Sequence, residues 1–375
     1  MGDSLEQQLF SAFAANKTST QHRLKVLRIL KRTIHKALSD LVVQVEEYGS
    51  LPLKTYLPQG DIDVTIITYP LLVAGFELYL LERVKLQFEF LASIKPDYKI
   101  QDVQEIHAKI PLVKCSVMGI SADITVNQVG GVRTLCFLEQ VNRLLPEHVY
   151  KRSIILAKIW GCYYSKVLGS MHGRLTTVAL EVLVLYTLNT FSETRKDPFK
   201  VVEKLIEHFA DFDWENKVVT CCGALSACRY SLCLGLGEAP EQTAAKAHSQ
   251  LFLSPQLLNK YRSDLGQSEA ALMPHSKFVN IADPFNSTNN LGRSVSFFEF
   301  QSIKRAFELS YEHLQSKGIK QMFKNLLGDT EHLEEFQESF LFVNLKTRKS
   351  RLYRALAILD PSYPQNYEPK RYRKV

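Results

Sequence analysis

Asp61-Ile62-Asp63 opens a run that continues through Val64, Ile66 and Ile67 to Thr68 and stops at Tyr69-Pro70. This is the pattern of a β-strand with two acids at its head. Side chains two apart on a strand share a face, so the two carboxylates sit side by side. Like charges at that spacing repel. On an otherwise apolar strand they need a cation, and hard oxygen donors suit Mg²⁺, with Mn²⁺ as a substitute, that keeps waters and phosphates as its other ligands. A lone D-x-D is also a common strand-edge pattern. A third acid, Asp123, lies within Ser121-Ala122-Asp123-Ile124-Thr125-Val126, where a solvated carboxylate is out of place unless it has a partner.

Around these acids the first third of the chain mixes helix and strand. Leu24, Leu27, Leu30, Ile34 and Leu38 recur at steps of three and four and predict an amphipathic helix. Its other face carries Lys25, Arg28, Lys31, Arg32 and Lys36, which reads either as a solvated face or as a contact to RNA phosphates. Ile106 to Val117 and Ser121 to Val126 alternate as two strands about a Met118-Gly119 turn. Beyond residue 130, periodic stretches such as Arg152 to Leu168 and Leu175 to Phe191 predict helices. Irregular loops are expected around Gly235 to Pro240 and Met273 to Gly292. A basic tail closes the chain from residue 346, ending in Lys370-Arg371-Tyr372-Arg373-Lys374. The expected organisation is α+β: a catalytic domain at 1–130 with an N-terminal helix, a mainly helical domain at 131–345, and the tail at 346–375.

With 375 residues the chain exceeds what one core usually serves, and a net charge of +7 suits a polyanionic partner. The seven cysteines show no metal-binding spacing and read as reduced core thiols. No apolar run reaches the roughly 18 to 20 residues that span a bilayer, and no export or lipid signal opens the chain. The expectation is a cytoplasmic or nuclear protein without a membrane. No RNA-recognition, KH or zinc-knuckle signature is present.

Gly49-Ser50 can form a tight turn at which backbone approaches a phosphate, or an ordinary helix-to-strand turn. Leu53 before Lys54-Thr55 excludes a Walker loop. Gly49-Ser50, then Asp61-x-Asp63, then an isolated Asp in a later strand resembles the DNA polymerase β nucleotidyltransferase superfamily, and within it the template-independent poly(A) polymerases and terminal uridylyltransferases. Lys158-Ile159-Trp160 resembles that family's Lys-x-Trp helix. Gly173 to Leu185 resembles its pocket helix, and Asp283-Pro284-Phe285 through Asn290-Leu291-Gly292-Arg293-Ser294 its nucleotide-recognition loop. Phe137-Leu138-Glu139-Gln140 and Asn289 to Val295 are similar in style to plant nucleotidyltransferase proteins with a PAP/OAS1 substrate-binding domain.

The resemblance implies a polymerase-β-like domain with a mixed sheet, packed on a helical PAP/OAS1 substrate-binding domain. It implies transfer of a nucleoside monophosphate from an NTP to an RNA 3′ hydroxyl, with Asp61, Asp63 and Asp123 as the metal-holding catalytic acids. Gly49, Ser50, Lys158, Thr177 and Asn289 would bind the nucleotide. Asn289 falls where uridylyl-specific members have His, which favours ATP, because a smaller side chain leaves room for a purine. Thr176-Thr177-Val178 departs from the family's Ser or Thr followed by a base-stacking Tyr. A terminal uridylyltransferase, or a weak or inactive homologue that binds RNA or protein, is the alternative.

Overall fold

The computed structural model describes residues 4–68, 75–108, 110–226, 252–253, 257–258, 260–261 and 277–328, with the side chains of 287 and 288 left aside. The tail from 346 and the loop at 235–240 lie outside these residues.

The first body is a five-stranded mixed sheet. Its strands are β1 (Val43–Tyr48), β2 (Ile62–Thr68), β3 (Gln101–Ile106), β4 (Leu112–Val117) and β5 (Ile120–Val126), in the order β1-β2-β5-β4-β3. All pairs are antiparallel except β2–β5, which is parallel. Two helices, α2 (Lys17–Ala37) and α4 (Phe76–Ile94), cover one face, where Val64, Ile66, Val113, Cys115, Ala122 and Ile124 share their core. The period of two sends Asp63, Thr65, Asp123 and Thr125 to the opposite face.

The helix expected from the Leu24 stripe is α2, although Leu24 itself is exposed and Arg23 and Val26 fill the buried side. Ile106 to Val117 is not one strand. It holds the end of β3, a connection through Pro111, and β4, because a proline cannot donate within a central ladder.

The second body is helical. Its main elements are α5 (Val129–Leu144), α6 (Val149–Ile159), α7 (Thr177–Thr190), α8 (Pro198–Ala210), α9 (Phe297–Lys317) and α10 (Ile319–Gly328). Trp160, Phe209 and Phe307 are fully buried at its centre, and the Trp160 indole N–H donates to Ser310 Oγ at 3.0 Å. The first helix, α1 (Leu5–Phe13), docks here, with Leu9 buried in this core and Glu6 paired to Arg152 at 2.6 Å. Two hairpins follow α8: β6 (Lys217–Thr220) with β7 (Gly223–Ser226), and β8 (Ala282–Asp283) with β9 (Asn286–Asn290). The second replaces the irregular loop expected at that stretch. Cys115 and Cys221 are buried thiols, but Cys136 is exposed on α5, contrary to the reading of every cysteine as a core thiol. Cys228 and Cys233 lie outside the described residues.

Candidate active site

Residues paired across neighbouring strands point to the same side, so one register row is enough to build the site. Tyr48 of β1 pairs with Asp63 of β2, Asp63 with Asp123 of β5, Asp123 with Lys114 of β4, and Lys114 with Gln104 of β3. Asp61 lies two residues before Asp63 on the same face. Ligand oxygens of Asp61, Asp63 and Asp123 lie within 4.8 Å of one another. The sheet thus joins acids sixty residues apart in sequence.

Several features hold this trio. Arg23, buried in α2, donates through Nη2 to Pro58 O at 2.8 Å and Gly60 O at 3.0 Å, fixing the turn that launches Asp61. Its guanidinium also stacks over Tyr56, 4.3 Å from the ring centre. Gly49 sits at φ 73°, and a Cβ there would come within 2.4 Å of Asp63 Oδ2, so backbone approaches the carboxylate as only glycine permits. A Cβ on Gly131 would strike the Tyr48 ring at 2.5 Å, so α5 closes over Tyr48 in the same way. Ser50 follows Gly49 as the first residue of a short helix, α3 (Ser50–Leu53 in chain order between β1 and β2).

Electrostatics single out the trio. Burial, then the neighbouring Asp61 and Asp123, push Asp63 up to about 7. Asp61 is raised for the same reasons, by burial first and Asp123 second. Burial likewise lifts Tyr48 to about 12, keeping it a neutral phenol. Lys114 Nζ meets Asp123 Oδ1 at 2.8 Å. Burial pulls its pKa down, but the Asp123 hydrogen bond and the acids around it outweigh burial and raise it. A concentration of negative charge made only of oxygen donors, and opposed by its surroundings, fits a hard divalent cation.

Lys158 is 4% exposed and lies in the last turn of α6. Its Nζ donates to Glu181 Oε1 at 2.8 Å and, more weakly, to Thr55 O at 3.4 Å, and its charge is felt by both Asp61 and Asp63. Immediately after it, Trp160–Tyr164 widens into a π-turn, an insertion that proteins concentrate at functional sites. Glu181 in turn lines a cleft with Thr134, Phe137, Val178, Asp283 and Phe285. Acid trio, Lys158, Glu181 and cleft therefore form one continuous path.

The remaining expected residues, Thr177 and Asn289, adjoin the cleft-lining Val178 and Asp283. Thr176 caps α7 by accepting from Ala179 N at 3.0 Å, which leaves Thr177 and Val178 exposed on its first turn. Asn289 is tied within its hairpin. Its Nδ2 donates to Asp283 Oδ2 at 2.8 Å and its Oδ1 accepts from Arg293 at 2.5 Å, bonds that use one of its two amide hydrogens and one of its two oxygen lone pairs.

Sequence reasoning missed Arg23, Lys114 and Glu181. A signal existed for two of them: Lys114 interrupts the apolar strand Leu112-Val113-Lys114-Cys115, and Glu181 is the one charge in the apolar helix Thr177 to Thr190.

The family model of the PAP/OAS1 substrate-binding domain matches residues 144–341, more than half of the chain. The model of the central palm domain of mitochondrial-like poly(A) RNA polymerase matches residues 4–141. The chain belongs to this nucleotidyltransferase family. Poly(A) RNA polymerase CID14 of Cryptococcus neoformans is 30% identical over 128 residues, a match covering 33% of this chain and 16% of that relative. A cytoplasmic RNA terminal U-transferase superposes with a TM-score of 0.58 at 15% identity, covering 85% of this chain and 96% of the other. A histidine-to-asparagine variant of the Cid1 poly(U) polymerase, bound to MgATP, superposes at 0.60 and 15%, covering 85% and 97%. At such identities the likeness concerns the fold, which is that of a polymerase-β-type domain on a helical substrate-binding domain. No helix among the described residues is long and apolar enough to cross a membrane.

Proposed function

We propose that this chain is a template-independent RNA 3′-terminal nucleotidyltransferase that transfers AMP from ATP to an RNA 3′ hydroxyl. The observation that carries the reading is the register row that brings Asp61, Asp63 and Asp123 together opposite a buried lysine. Asp61 and Asp63 would hold both magnesium ions, and Asp123 the one nearer the RNA. Divalent ions in that place supply a lowered pKa at the attacking hydroxyl and a neutralised triphosphate.

The chain's own groups do the rest. Lys114 engages one oxygen of Asp123 and leaves the other for a ligand. Gly49 keeps the ground before Asp63 clear of side chain, and the Ser50 hydroxyl follows it as a donor to phosphate. Lys158 offers its ammonium to the triphosphate while Glu181 fixes its position. Val178 provides an apolar wall but no aromatic face, which lowers nucleotide affinity by the roughly 1–3 kcal/mol that base stacking is worth.

Support for ATP comes from Asn289, which the family resemblance aligns with the His of uridylyl-specific relatives. Terminal uridylyl transfer is the second reading, favoured by the terminal U-transferase fold match. The test is extension of a labelled oligoadenylate with each NTP supplied singly in Mg²⁺ and in Mn²⁺. Ladders with ATP support the proposal, ladders with UTP overturn the base assignment, and no extension with any NTP overturns RNA-terminal transfer.

A further inference from the structure

Helix α4 is unusual among the elements of the first body because it is apolar on both sides. Leu80, Val84 and Phe88 face the sheet core, yet Tyr79, Leu86, Phe90 and Ile94 are each about half exposed on the outside. Their spacing of seven, four and four places them in one stripe along the helix. Scattered surface apolar residues need no explanation, but beyond Arg83, which interrupts the stripe over the Tyr79 ring at 5.7 Å, Leu86, Phe90 and Ile94 run unbroken and mark a contact site.

Helix α2 packs beside this stripe. Arg83 of α4 reaches Asp40 and the carbonyl of Ala37, while Lys36, farther back along α2, lies over the Phe90 ring at 5.6 Å. Lys25, Arg28, Arg32 and Lys36 recur at helical spacing on one exposed face of α2 and have no ion-pair partner among the described residues. The result is an apolar stripe with a basic ridge along one edge. Glu82 and Glu89, both exposed, border its other edge.

We infer that this α2–α4 face docks an amphipathic helix of a partner protein, with the partner's apolar side on the stripe and its acidic edge along α2. An apolar helix face laid against such a stripe is an established mode of peptide recognition, and complementary edge charges fix its orientation. Glu82 disfavours an RNA strand or an anionic bilayer, either of which would have to cover it; Glu89 is already paired to Lys85 at 3.6 Å. The chain's own tail from residue 346 is basic and would be repelled by the ridge, whereas residues 329–345 carry Asp329, Glu331, Glu334, Glu335 and Glu338, so a crosslink within the chain to these residues would overturn the inference. The surface lies on the side of the sheet opposite Asp61, Asp63 and Asp123, so an occupant leaves the acids open. The inference holds whichever nucleotide is used.

The experiment is site-specific photocrosslinking in the cells from which the chain comes, with p-benzoylphenylalanine at position 86 of the full chain and mass spectrometry of the crosslinked peptide. The expected product is a segment of one protein with apolar residues at helical spacing and Asp or Glu along one edge. The charge-reversed Arg28→Glu, Arg32→Glu, Lys36→Glu variant should lower the yield at least tenfold while the purified protein keeps its circular dichroism spectrum and its transfer rate. Crosslinks only to RNA, to lipid or to a second copy of this chain, no crosslinked protein at all, or a yield indifferent to charge reversal would overturn the inference.

Discussion

Replacing Asp63 by Asn separates what the acid trio costs the fold from what it provides to catalysis. Asp63 is held at about 7, against an ordinary value of 3.8, by burial and by Asp61 and Asp123. At pH 8 it is ionised, and the difference corresponds to about 4 kcal/mol of destabilisation at 1.36 kcal/mol per pKa unit. Asn keeps the shape and removes the charge, and its amide pays about the same desolvation cost as the protonated carboxyl, so that cost cancels in the comparison. The metal-free variant is therefore expected to be more stable than the wild type by about 4 kcal/mol at pH 8. The folded pKa is raised, so the penalty on the wild type is complete above about 7, fades as pH falls, and is absent below 3.8. The gap between the two proteins should narrow over that window. Urea unfolding in EDTA at pH 8.0, 6.5 and 5.0 measures it. Added Mg²⁺ should reverse the order, because an ion that binds only the folded wild type stabilises it by mass action. A variant less stable than the wild type in EDTA at pH 8, or a gap that does not change with pH, would refute the reasoning.

Further predictions concern the groups around the trio. Glu181→Gln leaves Lys158 without its buried counter-charge, so stability should fall by about 3 kcal/mol; calorimetry should show pyrophosphate binding about tenfold more tightly, and weaker binding would contradict the pairing. Arg23→Lys loses the fork that holds Pro58 and Gly60 and should cost about 2 kcal/mol in urea unfolding, with at least a tenfold drop in transfer rate. Val178→Tyr restores an aromatic face and should lower the KM for the preferred NTP about tenfold with kcat little changed. Asn289→His should move the preference from ATP towards UTP in single-nucleotide extension assays.

The strand bearing Asp61 and Asp63 was legible because β-branched residues alternate to a proline stop, and the helices of the second body because their periodicity is long. Strand β3 was not. Its Gln101, Asp102, Gln104 and Glu105 suit a solvated edge, where only one neighbour demands apolar side chains. The proximity of Asp123 to Asp63 could not come from spacing, since it depends on parallel pairing across the intervening α4, β3 and β4. For the same reason Lys114 was invisible as a partner of Asp123, although its place in an apolar strand was a clue. Arg23 was hidden in a helix whose other cations are solvated; only the fold shows that it alone turns inward, towards the Pro58–Gly60 carbonyls. The position of α1 was equally non-local, because Leu9 and Glu6 find their partners in the helical body rather than in the neighbouring α2.

The central claim is that Asp61 and Asp63 hold the metal ions for transfer to RNA. Its most direct test is incorporation of α-labelled ATP onto oligoadenylate in Mg²⁺ by the wild type and by the Asp61→Ala, Asp63→Ala variant, each first shown to be folded by circular dichroism. Labelled ladders from the wild type and none from the variant are expected. Equal incorporation by the two proteins would contradict the account.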